Sequence, residues 1–123
     1  MKLLLDTHIF LWWDADDTRL PVALKEAIAD PQNAIYVSAA SVWEIAIKRA
    51  TGKLTFSSSA AKAIAGHGFH PLPITIRDSE WAGALPLLHR DPFDRLLVAQ
   101  AQLEGCMLVT VDERILGYQV PHL

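Results

Sequence analysis

Residues 34–52 read Ala-Ile-Tyr-Val-Ser-Ala-Ala-Ser-Val-Trp-Glu-Ile-Ala-Ile-Lys-Arg-Ala-Thr-Gly, and a change of period inside this stretch points to the fold class. Ala34 to Val37 is a short β-branched and aromatic run, the composition of a strand. From Ser38 onward, Val42, Trp43, Ile45, Ala46 and Ile47 fall at helical spacing until Gly52 stops them. The stretch is a strand that gives way to a helix.

The same alternation extends in both directions. Upstream, Lys2 to Leu5 is an apolar run bounded by Asp6, expected as a buried strand, and Thr7 to Trp13 continues as a short helix. A second helix is expected from Pro21 to Asp30, with proline suited to the first turn and Asp30-Pro31 ending it. Downstream, Ser57-Ser58-Ser59 caps a helix that ends around Gly66-His67-Gly68. Phe69 to Ile76 is a third extended segment, which Pro71 and Pro73 confine to an edge or a short strand. Asp78 to Leu88 reads as helix, and Asp91-Pro92-Phe93-Asp94 opens the clearest helix of the chain, closed by Gly105. Cys106 to Val111 is the fourth strand, Asp112 to Leu116 a turn of helix, and Tyr118 to Val120 a last edge strand stopped by Pro121. Strands alternating with helices specify an α/β domain with a mostly parallel sheet of four or five strands. Such sheets bind ligands beyond the carboxyl ends of their strands, at the switch point.

The chain has 123 residues, 51% of them hydrophobic, enough to bury one sizeable core, so a single domain over residues 1–123 is expected. Cys106 is the only cysteine, which excludes an internal disulfide and suits a buried thiol in a reducing compartment, the cytoplasm. The apolar run at the N-terminus is too short for a signal peptide, and no run reaches the roughly 18 apolar residues of a membrane span, so a soluble protein is expected. A net charge of −3 runs against a broad basic surface for nucleic acid. That objection weakens where acidity is gathered at a metal, because a bound divalent cation inverts the local sign.

Four acids stand where such a gathering is expected. Asp6 ends the first strand, Glu44 lies in the helix after the second, Asp94 is in the first turn of the strongest helix, and Asp112 follows the fourth strand. In a parallel sheet these positions share one edge. Clustered carboxylates repel unless a cation compensates, and hard oxygen donors suit Mg²⁺ or Mn²⁺, which activate water for phosphodiester cleavage. Each acid also stands where helix starts favour acids: Asp6 and Asp112 as N-caps, Ser41 to Glu44 as a capping box, and Asp94 behind a capping Asp91. Position alone does not separate the two readings.

Four ordered motifs carry a resemblance. Leu3-Leu4-Leu5-Asp6-Thr7-His8, Ser38 to Lys48, His89-Arg90-Asp91-Pro92-Phe93-Asp94-Arg95 through Ala101, and Leu108-Val109-Thr110-Val111-Asp112 resemble the successive motifs of PIN-domain toxins of the VapC type, across nearly the whole chain. The resemblance implies a three-layer α/β/α fold, a homodimer, a Mg²⁺- or Mn²⁺-dependent endoribonuclease, and neutralisation by a VapB-type antitoxin. It also implies that Asp6, Glu44 and Asp94 are the core metal-site acids, that Asp112 is the more variable fourth, and that Thr110 is the small hydroxyl residue beside it.

Other residues are weighed beside these. Asp91 reads as an N-cap, and Lys48, four residues after Glu44, as its helical partner or an RNA phosphate contact. Arg90 and Arg95 flank the acidic motif and are candidate phosphate contacts, since guanidinium matches phosphate in a forked geometry. His67, His70 and His89 fit no zinc spacing and read as surface histidines. Trp43 is expected in the core, and one of Trp12 and Trp13 at a dimer or antitoxin contact. Aspartyl-phosphate phosphatases would need a second Asp at position 8, where this chain has His8, and a phospho-receiver would need paired acids after the first strand. The remaining rival is a PIN-like module that binds RNA or protein without cutting, against which four intact acids argue.

Overall fold

The computed structural model describes residues 1–56 and 59–123. Its elements run β1 (Lys2–Leu5), α1 (Thr7–Asp14), α2 (Val22–Ala29), β2 (Ala34–Ser38), α3 (Ala39–Ala50), α4 (Ala60–Gly66), β3 (His70–Leu72), α5 (Ile76–Ala84), α6 (Pro92–Glu104), β4 (Met107–Val109) and α7 (Glu113–Leu116). The sheet is parallel throughout, in the order β3-β2-β1-β4. The chain steps outward from β1 through β2 to β3 and then crosses back to place β4 on the other side of β1. The switch point therefore lies between β1 and β4.

Side chains of successive strand residues point to opposite faces, and here both faces are covered. Leu3, Leu5, Ile35, Val37 and Val109 pack with Ile9 and Phe10 of α1, Leu24 and Ile28 of α2, Ile45 of α3 and Ile64 of α4. Leu4 and Leu108 face the other way, onto Leu97, Val98 and Ala101 of α6, Ile115 of α7, Tyr118 and Val120. This is the expected three-layer arrangement, and it explains why β1 reads as unbroken leucine. Each fully buried leucine contributes about 1.5–3 kcal/mol.

Most expected boundaries hold within a residue or two. Pro71 does confine β3 to a sheet edge. Ser59 caps α4 by accepting from the Lys62 amide, while Ser57 and Ser58 of the expected cap lie outside the described residues. Two expectations fail. The helix expected over 78–88 begins at Ile76, because Thr75 and Asp78 form a reciprocal capping box, and it ends at Ala84. Leu85 precedes Pro86, a position that disfavours helical backbone, and is extended. The strand expected over Tyr118 to Val120 does not form, because Tyr118 turns inward to bond residue 89. The chain meets β4 just beyond it, where the Leu108 amide donates to the Pro121 carbonyl at 2.8 Å and the Leu123 amide to the Leu108 carbonyl at 3.2 Å.

Candidate metal centre

Asp6 leaves β1 at the switch point, 3% exposed, and caps α1. Its Oδ1 accepts the Ile9 amide at 2.7 Å, and its Oδ2 accepts the Thr110 hydroxyl at 2.5 Å. Burial raises its pKa above the usual aspartate value, with the Asp112 charge adding, while Thr110, the Ile9 amide and His8 oppose the rise. One oxygen of Asp6 thus serves as the helix cap, and the other is held by a residue just beyond β4.

Glu44 is 7% exposed in the middle of α3. The true N-cap of α3 is Ser38, whose Oγ accepts the Ala40 amide, so Ser41 and Glu44 form no capping box. The physical reason is that the helix starts one turn earlier than that box requires, leaving Ser41 buried. Thr7 donates to Glu44 Oε1 at 2.6 Å and shares a 2.9 Å hydrogen bond with Ser41 Oγ. Lys48 Nζ lies 3.0 Å from Glu44 Oε2.

Asp94 sits in the first turn of α6, behind Asp91, whose Oδ1 accepts the Phe93 and Asp94 amides. His89 Nε2 is 2.7 Å from Asp94 Oδ2. Burial pushes the Asp94 carboxyl up to about 6; the His89 hydrogen bond opposes this, and the charges of Asp91 and Glu44 reinforce it. Asp112 caps α7 and accepts from the Arg114 side chain, which lowers its pKa despite some desolvation. One ligand atom each from His89, Asp94 and Asp112 lies within 4.8 Å of the others.

The structure thus brings Asp94 and Asp112 together, with His89. The charge of Asp112 is felt at Asp6, and that of Glu44 at Asp94. The third member of the tight trio is His89, which was expected at the surface and is 8% exposed. Its amide donates to Tyr118 Oη at 3.0 Å, and Arg95 clamps its carbonyl, so the loop folds it inward. The available signal was its place just before the acidic motif.

Two further expectations are corrected. Arg95 is not open to phosphate: its guanidinium donates to the carbonyls of Ala82, Gly83, Leu85, Pro86 and His89 and to Tyr118 Oη. Trp43 is 61% exposed, resting edge-on against Phe93, because one helical step from buried Glu44 turns it about 100° outward. By contrast Arg90 is exposed and, among the described residues, makes no hydrogen bond or ion pair. His70 is exposed and stacks on Tyr36, while His67 pairs with Asp14.

A divalent cation suits this donor set. Asp6 is buried and Asp94 partly buried, neither has a Lys or Arg ion pair among the described residues, and desolvation pushes both carboxyls toward protonation. A bound cation would compensate them. The donors are mostly carboxylate oxygens, the hard ligands that Mg²⁺ and Mn²⁺ take, with one imidazole.

Among curated proteins, Ribonuclease VapC22 of Mycobacterium tuberculosis is 30% identical over 122 residues, covering 97% of this chain and 93% of its own. Among solved structures, VapBC2 of Rickettsia felis bound to a promoter DNA fragment matches with a TM-score of 0.70 at 15% identity, over 100% of this chain and 98% of that one. A toxin–antitoxin complex from Klebsiella pneumoniae matches at 0.67 and 22% identity, over 98% and 95%. The sarcin–ricin-loop-cleaving toxin VapC20 of M. tuberculosis matches at 0.64 and 13% identity, over 96% and 95%. These structures share the fold. The PIN domain model itself matches residues 3–120, and with the VapC22 similarity alongside it, the chain belongs to the PIN-domain family as a VapC-type member.

Proposed function

We propose that this chain is a metal-dependent endoribonuclease, the toxin half of a toxin–antitoxin pair. The observation that carries the reading is the convergence of ligand atoms of Asp94, Asp112 and His89 within 4.8 Å of one another, with buried Asp6 joined to the Asp112 segment through Thr110, at the switch point of a PIN-domain sheet. The ribonuclease name of the 30%-identical relative supports it.

In this reading Asp6, Glu44, Asp94 and Asp112 hold Mg²⁺ or Mn²⁺. Such an ion, when bound, supplies Lewis-acid stabilisation of a phosphate oxygen and a water of lowered pKa. The protein's own groups prepare the site. Thr110 and the Ile9 amide fix the Asp6 carboxylate, and Thr7 fixes that of Glu44. His89 orients Asp94 from the side, a supporting role of the kind that holds metal-site carboxylates in place. Asp112 is held by Arg114, an exposed pair that costs little to rearrange. Arg90 is positioned to meet phosphate, as is Lys48 after exchanging its contact with Glu44.

The partner in this reading is a VapB-type antitoxin, supported by the toxin–antitoxin complexes among the similar structures, and the active form is a homodimer in the cytoplasm. No helix among the described residues is long and apolar enough to cross a membrane. The test is RNA cleavage in Mg²⁺ or Mn²⁺ by the purified chain and by Asp6→Asn and Asp94→Asn. The wild-type chain is expected to cut and both variants to lose at least about 100-fold in rate. Variants that cut as fast as wild type overturn the assignment.

A further inference from the structure

A cavity of about 480 Å³ opens between α1 and the segment that follows α3, lined by His8, Trp12, Arg19, Lys48, Lys53 and Phe56 among others. That volume is in the range of small-molecule subsites. It adjoins the metal centre through two residues: Lys48, which reaches Glu44 at 3.0 Å, and His8, next in sequence to Thr7. Trp12 lies five residues along α1 from Thr7, about 7.5 Å of helix rise, so the cavity continues the acidic site outward.

Its chemistry is that of a single-stranded nucleic-acid groove, in which an aromatic platform meets flanking cations. The Arg19 guanidinium lies over the Trp12 indole, 5.3 Å from the ring centroid. Two acids also line the cavity, but each has a partner: Asp17 pairs with Arg19 at 2.7 Å and Asp14 with His67 at 2.7 Å. Lys53 is exposed and, among the described residues, has no ion pair. The apolar groove elsewhere on the chain, lined by Val42, Trp43, Ile64 and Phe69, has no such cations.

We propose that this cavity is the subsite for a nucleotide next to the cleaved phosphodiester of a single-stranded RNA, with its base stacked on the Trp12–Arg19 platform and its phosphate held by Lys53. The proposal rests on the nuclease reading above. Stacking on one aromatic platform is sequence-tolerant, so the subsite sets affinity for unpaired RNA rather than reading a base.

The test measures binding of a labelled short 2′-O-methyl oligouridylate by anisotropy, in chelator, to the wild-type chain, Trp12→Leu and Lys53→Ala. Each variant is expected to bind about 10-fold more weakly. Lys53→Ala also lowers the slope of log affinity against log salt by about 0.7. Trp12 packs partly on the core, so thermal melts check its folding, and exposed Lys53 carries the test if Trp12→Leu unfolds. Unchanged affinity in folded variants overturns the subsite. So do variants that keep RNA affinity and lose binding of an antitoxin, which would make the cavity a protein site. The two readings fail separately. A wild-type chain inert in Mg²⁺ and Mn²⁺ that still binds the oligonucleotide through Trp12 sinks the nuclease and keeps the subsite, whereas an active chain indifferent to both changes sinks the subsite alone.

Discussion

Thr110 Oγ1 donates to Asp6 Oδ2 across a separation of 104 residues, and the same oxygen accepts the Asp112 amide at 3.0 Å. One hydroxyl thus stitches the ends of β1 and β4 and orients two acids at once. Thr110→Val keeps the shape and removes both bonds. It is expected to cost about 1–3 kcal/mol of stability and, through misplaced carboxylates, about 10–100-fold in metal-dependent RNA cleavage. Thr110→Ser restores most of the rate. Single-turnover cleavage and urea unfolding measure the two effects, and a Thr110→Val chain of unchanged rate removes the positioning role.

Arg95 and Arg90 are expected to separate cleanly. Arg95 satisfies the carbonyls of the loop between α5 and α6, so Arg95→Ala strands several acceptors and costs about 3 kcal/mol by urea unfolding. Arg90→Ala leaves stability within about 0.5 kcal/mol and lowers the salt slope of RNA binding by about 0.7. Equal stability losses in the two variants would contradict the clamp.

The Asp94 carboxyl, moved from 3.8 to about 6, sets a pH signature for the metal-free chain. A raised folded-state pKa means the native state binds more protons than the unfolded state between those values. Its contribution is therefore fully present below about pH 4 and lost as pH rises through about 6. Melting temperatures in chelator, wild type minus Asp94→Asn, are expected to fall across that window and level off above it. Added Mg²⁺ should raise the wild-type melting temperature more at about pH 7 than at about pH 5, since only the ionised carboxylate binds. A flat difference across the window contradicts the shift.

Trp43 is large but exposed, so its removal is expected to be cheap. Trp43→Ala should cost under about 1 kcal/mol, whereas Phe10→Ala, in the fully buried core, should cost about 3–5 kcal/mol. Chemical denaturation of both variants checks the contrast.

Much of this was legible because the decisive residues are local signals. The unbroken leucines of β1, the Asp91-Pro92 start of α6 and Gly105 at its end, held in a left-handed conformation, each act through their own segment. The places of Asp6 and Asp112 after strands and of Asp94 in a first helical turn were legible in the same way, whereas Glu44 lies in mid-helix and not at the helix start its spacing from Ser41 had suggested. What escaped depends on contacts across the fold. His89 is drawn inward by Tyr118 and Arg95, which lie beyond the reach of any periodicity. Arg95 looks like a free cation until its loop is folded around it. Tyr118 to Val120 carries the apolar pattern of a strand, yet the tyrosine is buried for its hydroxyl. Trp43 was misplaced because adjacent helical residues cannot share one face, and Glu44 takes the inner one.

The stitch between residues 6 and 110 also governs timing. Asp6 is made well before the hydroxyl that holds it, 104 residues further along the chain, and before the acid at 112. A chain ending before β4 therefore lacks Thr110 and Asp112, and in the nuclease reading a chain cut after Cys106 is expected to leave RNA intact. Pairing of β4 with β1 is thus the step that joins the two halves of the acidic edge, and any treatment that frees β4 is expected to release Asp6 and Asp112 from one another together.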